Sequence, residues 1–385
     1  MGIKFNQGFS KMLIQMRRKI HSYPEIGYNE FKTSQFVLEH LRNWGIKARK
    51  VGNTGVVALL KAGNSKRCIG LRADLDALPI CTQLKKPYAS KTDGVMHACG
   101  HDANIAIVMG AAFLLKKELP KLRSNVKFIF QPAEETANGA RMMIKNNVLK
   151  DPKVDVMFGV HVNPELKVGS VGIKKGRLMA AVDRFKIEFY GGGGHGAYPH
   201  LGKDTLLAAS ECITLINHIV SRQIDPLEPV VISVCKIAGG DSFNVLADRV
   251  EIEGTVRTFD YSLQKVISEK IRRIIKSIGN IYRLKTNFEY DFLGRVLVNN
   301  ESVAGRVMNI ANKMKDDIKV KVLSKPSMGG EDFAEYLESV KGCFLYMGSG
   351  SHKSTRYPWH HPKFDIDEKT LHIGANFLKN LILQY

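Results

Sequence analysis

The sequence has no long apolar run. Its longest, Ile105–Leu115, is 11 residues, well short of the roughly 20 that a membrane-spanning helix needs. Its first residues, MGIKFNQGF, lack the apolar stretch of a secretory leader, and Asn6 stands where a myristoylation signal takes Ser or Thr. No membrane association and a cytoplasmic location are therefore expected. The six cysteines (68, 81, 99, 212, 235 and 343) form no CxxC pair, so reduced thiols are expected in place of a disulfide framework. GxSxG, HExxH and P-loop patterns are all missing, which argues against a serine hydrolase, a zincin and an NTPase. There is no internal repeat, and low complexity is confined to Gly191–Gly194.

Acidic residues are in the minority: 37 Asp+Glu face 57 Lys+Arg, a net charge of +20. The basic residues are spread along the chain without a block of five or more, and no helix-turn-helix, zinc-finger or RNP-like pattern is present. No nucleic-acid partner is expected; a dispersed basic surface fits attraction of small anionic substrates. A hydrophobic fraction of 44% over 385 residues excludes global disorder and allows two or three domains.

What is present is an alternation of helix and strand patterns. Residues 8–21 and 30–43 have helical periodicity, followed by strands at 55–60 and 68–73, a helix near 103–117, a strand at 126–131, a helix near 137–147 and a strand at 154–160. From Asp183 the order becomes strand, helix (203–223), strand, strand, helix (263–279), strand, the ferredoxin-like split unit. Beyond Leu293 come a helix at 301–315, a strand IKVKVL, a helix at 331–339, a strand CFLYMGS and a helix at 368–383. The predicted architecture is α/β: a discontinuous larger domain (1–182 and 294–385) with a central mixed sheet flanked by helices, interrupted by a smaller α+β domain (183–293).

Chemistry-bearing residues follow several strands of the larger domain. CIGLRA leads into Asp74 and Asp76, VKFIFQ into Glu134 and Glu135, VDVMFGV into His161, and CFLYMGS toward His360 and His361; the loop MHACGHD adds His97, Cys99, His101 and Asp102. Ligands of open α/β sheets bind outside the carboxyl ends of strands. Taken singly, each residue has an ordinary structural use. Cys99 and His101 fit a divalent ion, or equally a buried thiol beside a hydrogen-bonded imidazole. Two adjacent glutamates permit a division of labour, one coordinating an ion and the other taking a proton from water. The GGGGHG stretch at 191–196 matches GxGxxG formally, but His195 occupies the loop where bare backbone would meet pyrophosphate. A dinucleotide site is rejected there. A glycine loop that swings an imidazole toward a distant site, or a mobile loop with an incidental histidine, remain the two readings.

The segments LRADLDALPI, MHACGHDANIAIVMGAA, FIFQPAEE, FGVHVNP, GGGGHGAYPH, MGGEDFAEYL and HHPKFDIDE resemble the metal-dependent amidohydrolase branch of the aminoacylase-like metallopeptidase superfamily. Within it, the chain is most similar to hippurate hydrolase, the plant indole-acetyl-amino-acid hydrolases and bacterial N-acyl-amino-acid deacetylases. The resemblance runs from about residue 17 to 368. It implies two divalent ions (manganese or zinc, with cobalt or nickel also compatible) held by Cys99, His101, Glu135, His161 and His360, the last chosen by the His-x-Pro register with Pro362. It implies Glu134 as general base, Asp76 as the site-orienting aspartate, His195 as oxyanion stabiliser and Asn244 and Arg257 as grips for a substrate carboxylate. It further implies a small N-acyl amino acid as substrate, and a smaller domain that acts as lid and homodimer platform. A dipeptidase or carboxypeptidase on the same site is the alternative, and a non-catalytic binding protein the third reading. Two departures from the family pattern stand out. Asn104 replaces a frequent second histidine, and Thr82-Gln83 replace a frequent glutamate after DALPI.

Overall fold

Four strands, Asn125–Gln131, Cys68–Asp74, Val156–Lys167 and Gly342–Gly350, lie side by side and parallel. Every residue of Asn125–Gln131, Cys68–Asp74 and Gly342–Gly350 is buried, as expected of parallel strands covered on both faces. Gly55–Leu60 and then Lys47–Val51 extend the sheet antiparallel on one side. Ser170–Ile173, antiparallel to Gly342–Gly350, and Lys319–Val322 extend it on the other. The result is a mixed eight-stranded sheet.

This computed structural model describes residues 6–314 and 317–385. The described residues form two compact units, one comprising the chain up to Gly176, Val298–Lys325 and Asp332–Tyr385, the other Arg177–Leu297 with Pro326–Glu331. The division falls a few residues from the boundaries expected at 182/183 and 293/294. The short return segment 326–331 joins the second unit because Ala180 N donates to Ser327 O (3.1 Å) and Gly329 O (2.9 Å).

In the first unit the Gln7–Ser22 helix starts at Asn6, whose side chain accepts from Phe9 N at 2.9 Å. It buries Phe9, Leu13, Met16 and Ile20 along one stripe. The His101–Lys117 helix is buried almost all round because Gln7–Ser22 and Lys369–Gln384 pack against it. Gly100 begins it at φ +96°, and a Cβ there would lie 2.4 Å from the Val162 side chain. Only glycine lets this turn approach the Val156–Lys167 strand so closely.

Several elements depart from the sequence pattern, which shows no strand at Ser170–Ile173 or Gly176–Met179. Lys47–Val51 exposes Lys47, Arg49 and Lys50 and shows no apolar signal because it is an edge strand. The strand expected to stop at 160 continues to Lys167, and pairing with Gly342–Gly350 holds it past His161. The helix expected at 331–339 shrinks to Ala334–Leu337, since Asp332 is drawn off to Arg72 and Gln131.

The second unit carries Val230–Gly239, Arg249–Thr258, Ala181–Tyr190 and Lys285–Gly294 in that spatial order, every neighbour antiparallel. Helices Thr205–His218 and Tyr261–Tyr282 cover one face with Cys212, Ile216, Ile267, Ile271 and Ile275. This is the ferredoxin-like arrangement.

Asp183, buried in this unit, accepts from the Tyr290 hydroxyl at 2.7 Å and from Gln264 Nε2 at 2.6 Å. Burial outweighs these bonds and pushes its carboxyl up to about 6. An unfolded aspartate ionises near pH 4, so between there and 6 the native state binds more protons, and stability falls as pH rises through that window. Asp183→Asn should remove this slope. Urea midpoints across pH 4–7 should drift in favour of the variant by roughly the window that linkage sets; a constant difference would mean that Asp183 ionises normally. No helix among the described residues is long and apolar enough to cross a membrane.

Candidate metal centre

The carboxyl ends of the central strands deliver the donors to one place. The Cys68–Asp74 strand runs into Asp76, whose two carboxylate oxygens accept from Glu134 N and Glu135 N, each at 3.0 Å. Asp76 therefore caps the turn that carries both glutamates. Ala133, just before them, adopts φ +54°, a strained region for a non-glycine residue. Its N–H is held at 2.8 Å by the buried Glu30, which also accepts from Thr54 Oγ1 at 2.7 Å. His360 is likewise at φ +65°, with its N–H on Ala98 O at 2.9 Å. Strain of this kind gathers at functional sites.

Three donor groups lie within 4.8 Å in each case: Cys99, His101 and His161; Cys99, Glu135 and His360; His101, Glu134 and Glu135. Cys99 Sγ is 3.5 Å from His161 Nε2, and Glu135 Oε1 is 3.4 Å from His360 Nε2. His101 Nε2 is 3.9 Å from Glu135 Oε1 and 4.0 Å from Glu134 Oε2. His101 Nε2 and Glu135 Oε1 are both buried without a hydrogen-bond partner, an arrangement that is expensive unless something else satisfies the pair. The other faces of the imidazoles are fixed. His101 Nδ1 is 2.8 Å from Asp76 O, and His161 Nδ1 is 2.8 Å from Val162 O. Both Nε2 atoms thereby face the other donors, the usual orientation for histidine ligands. The donor set of thiolate, imidazole and carboxylate suits borderline divalent ions. His361 points elsewhere: it stacks on Tyr357 at 4.5 Å, and its Nδ1 accepts from Lys363 N.

Electrostatics support the same reading. Burial pushes His161 down to about 4, so its imidazole is neutral. Burial also disfavours a charge on His101, but Asp74 and Cys99 outweigh it and hold that imidazole well above its ordinary range. The Cys99 thiol is raised by burial and by Glu135, so ion binding there must expel a proton. Asp74 stays ionised at about 2, burial being overcome by His101 and Arg72.

Behind these donors lies a network that the strand pattern did not reveal. The buried Arg72 donates to Asp74 Oδ2 (2.6 Å), Gln131 Oε1 (3.0 Å) and Asp332 Oδ1 (3.0 Å). Asn104 donates to Asp74 Oδ1 at 2.8 Å and accepts from Val162 N at 3.0 Å. The departure at Asn104 is thus a brace between Asp74 and the His161 strand. Asn104→Leu would strand two buried polar groups, and a loss of about 2–6 kcal/mol is expected at roughly 1–3 kcal/mol each. Chemical denaturation checks this; a loss below about 1 kcal/mol would mean the brace is dispensable.

The remaining sequence candidates lie in the second unit. His195 is exposed and pairs with Val245 in a two-residue ladder, next to Asn244. Gly192 and Gly193 turn the preceding loop at φ +87° and +75°, and the next helix begins only at Thr205. Arg257 lies elsewhere, toward the far end of the Arg249–Thr258 strand, paired with Val182. At about 3.3 Å per residue it is roughly 26 Å from Arg249, beside which the His195 loop is anchored by Gly191 N on Asp248 O. Its Nη1 is buried without a hydrogen-bond partner.

A mixed α/β sheet that gathers thiol, imidazole and carboxylate donors at its carboxyl edge makes a candidate divalent-metal centre. The profile of peptidase family M20/M25/M40 matches residues 70–384. The chain is 42% identical to N-acetyl-L-cysteine deacetylase of Bacillus subtilis over 96% of its length and 86% of that protein's. It is 37% identical to thermostable carboxypeptidase 1 of Saccharolobus solfataricus, over 94% and 92%. Among solved structures, the Bacillus subtilis YXEP protein, described as a dinuclear metal binding peptidase from the M20 family, superposes with a TM-score of 0.83 at 35% identity over 98% of both chains. The protein belongs to peptidase family M20/M25/M40.

Proposed function

We propose that the protein is a metal-dependent amidohydrolase that splits N-acyl amino acids into a carboxylic acid and a free amino acid. The observation that carries this is the pair of buried atoms His101 Nε2 and Glu135 Oε1, neither with a hydrogen bond and 3.9 Å apart, among Cys99, His161 and His360. These five residues would hold two divalent ions, manganese or zinc being the first to test, with Cys99 common to two donor groups. Ions bound there would lower the pKa of a water and polarise the scissile carbonyl. Glu134, oriented through its N–H by Asp76, takes the water's proton and delivers it to the leaving nitrogen. His195 would meet the developing oxyanion and Asn244 the substrate carboxylate; Arg257, roughly 26 Å along the strand from their loop, would reach the same carboxylate only from the other copy of a homodimer.

An N-acetyl amino acid is the favoured substrate because the similar Bacillus subtilis protein is an N-acetyl-L-cysteine deacetylase. The carboxypeptidase relative makes peptides the competing class. A homodimer through the smaller unit is supported by its open edge strand, Val230–Gly239, and by exposed Leu206, Leu207 and Leu215 on the Thr205–His218 helix.

The test is hydrolysis of N-acetyl-cysteine, N-acetyl-methionine, hippurate and a dipeptide panel by chelated enzyme reloaded with each metal in turn. Metal-restored release of amino acid from the acyl substrates is expected. Cleavage of dipeptides alone would replace the reading by a peptidase, and no cleavage with metal bound would leave a silent scaffold.

A further inference from the structure

Arg17 sits on the Gln7–Ser22 helix, which supplies none of the donor residues. Its guanidinium is fully buried and joins two segments far apart in sequence. Nε donates to Asp102 Oδ2 at 2.7 Å, Nη2 to Asp365 Oδ1 at 2.8 Å, and Nη1 reaches Glu368 Oε1 at 3.5 Å. Asp102 directly follows His101, and Asp365 lies in the segment that follows His360. Both carboxylates are held from a second side. His21 Nδ1 is 2.8 Å from Asp102 Oδ2, and the Tyr88 hydroxyl donates to Asp365 Oδ2 at 2.8 Å. The Tyr88 ring also flanks the guanidinium, 5.1 Å from its carbon.

We propose that Arg17 is a positioning residue that holds the segment carrying His360 against the start of the His101–Lys117 helix, and so sets the affinity for the ion that His360 shares with Cys99 and Glu135. The proposal rests on the reading of Cys99, Glu135 and His360 as ligands. A rigid planar fork bonds two carboxylates in fixed, divergent directions; an ammonium is a point charge on a flexible stem and does not. Burial keeps water from substituting for either bond. The donors of the other group keep supports of their own: His101 through Asp76 O and the His21 bond to Asp102, His161 through the Val162 carbonyl and the pairing of its strand with Gly342–Gly350. The effect of Arg17 should therefore fall on one ion and spare the other.

The experiment is calorimetric titration of metal-depleted protein with Mn2+, using wild type, Arg17→Lys, His360→Ala and the double variant, with urea midpoints for each. Wild type should take up two ions. Arg17→Lys should keep one at wild-type affinity and bind the second about 10–100-fold more weakly, the range for groups that orient metal ligands. On the His360→Ala background it should add less than about two-fold, because both changes act on the same ion. A merely structural role would weaken both ions and add in full to His360→Ala. Folded Arg17→Lys with both affinities unchanged overturns the proposal. Fewer than two ions on wild type overturns the ligand assignment beneath it, whatever Arg17 does. If Arg17→Lys does not fold, Asp365→Asn is read by the same criterion: selective weakening of the second ion supports the proposal, and unchanged binding overturns it.

Discussion

With Glu134 replaced by alanine, the protein should bind its full complement of metal and lose turnover by about 10²–10⁴-fold, the contribution of a positioned general base. The reason lies in the division between adjacent glutamates. Glu135 Oε1 is buried without a hydrogen bond and 3.4 Å from His360 Nε2, in a group with Cys99, whereas Glu134 shares no group with Cys99. The turn that carries both is set by backbone bonds to Asp76 and Glu30, so truncating the Glu134 side chain leaves Glu135 in place. Metal content by atomic emission and kcat on the best acyl substrate separate the two effects. Loss of metal together with activity would make Glu134 a ligand, and retention of most activity would move the base elsewhere.

Cys99→Ala should be the most damaging ligand change. Cys99 is the donor common to the His101–His161 and Glu135–His360 groups, so its removal should weaken both ions, whereas His161→Ala should spare one. Transition-state stabilisation by bound metal amounts to several kcal/mol, so a loss of about a thousand-fold or more in kcat/KM is expected at about 1.36 kcal/mol per decade. Equilibrium dialysis against micromolar Mn2+ reads the stoichiometry. Two ions retained on Cys99→Ala would show that the thiol is not a shared ligand.

Much of this site is readable along the chain. Apolar runs ending in acidic or imidazole residues mark strands that point their carboxyl ends at one edge, because parallel strands buried on both faces must be nearly all apolar until they emerge. That rule located Asp76, Glu134, Glu135 and His161. It put His161 after a strand that in fact continues through it, because the hydrophobic run ends before the hydrogen-bonded pairing does. Residue order also conveyed the ferredoxin-like unit, whose strands alternate on one covered face.

Other features had no signal in residue order. Local residue chemistry does not separate His360 from His361, and only the His-x-Pro register of the family resemblance chose the first; one backbone at φ +65° sends it toward Glu135 while its neighbour stacks on Tyr357. Arg72, Asp332 and Gln131, and likewise Arg17, Asp102 and Asp365, are joined across long stretches of chain. Local propensity and periodicity report only on neighbours within a turn or a strand. A buried charge becomes intelligible only when the fold brings it the opposite charges that offset its desolvation.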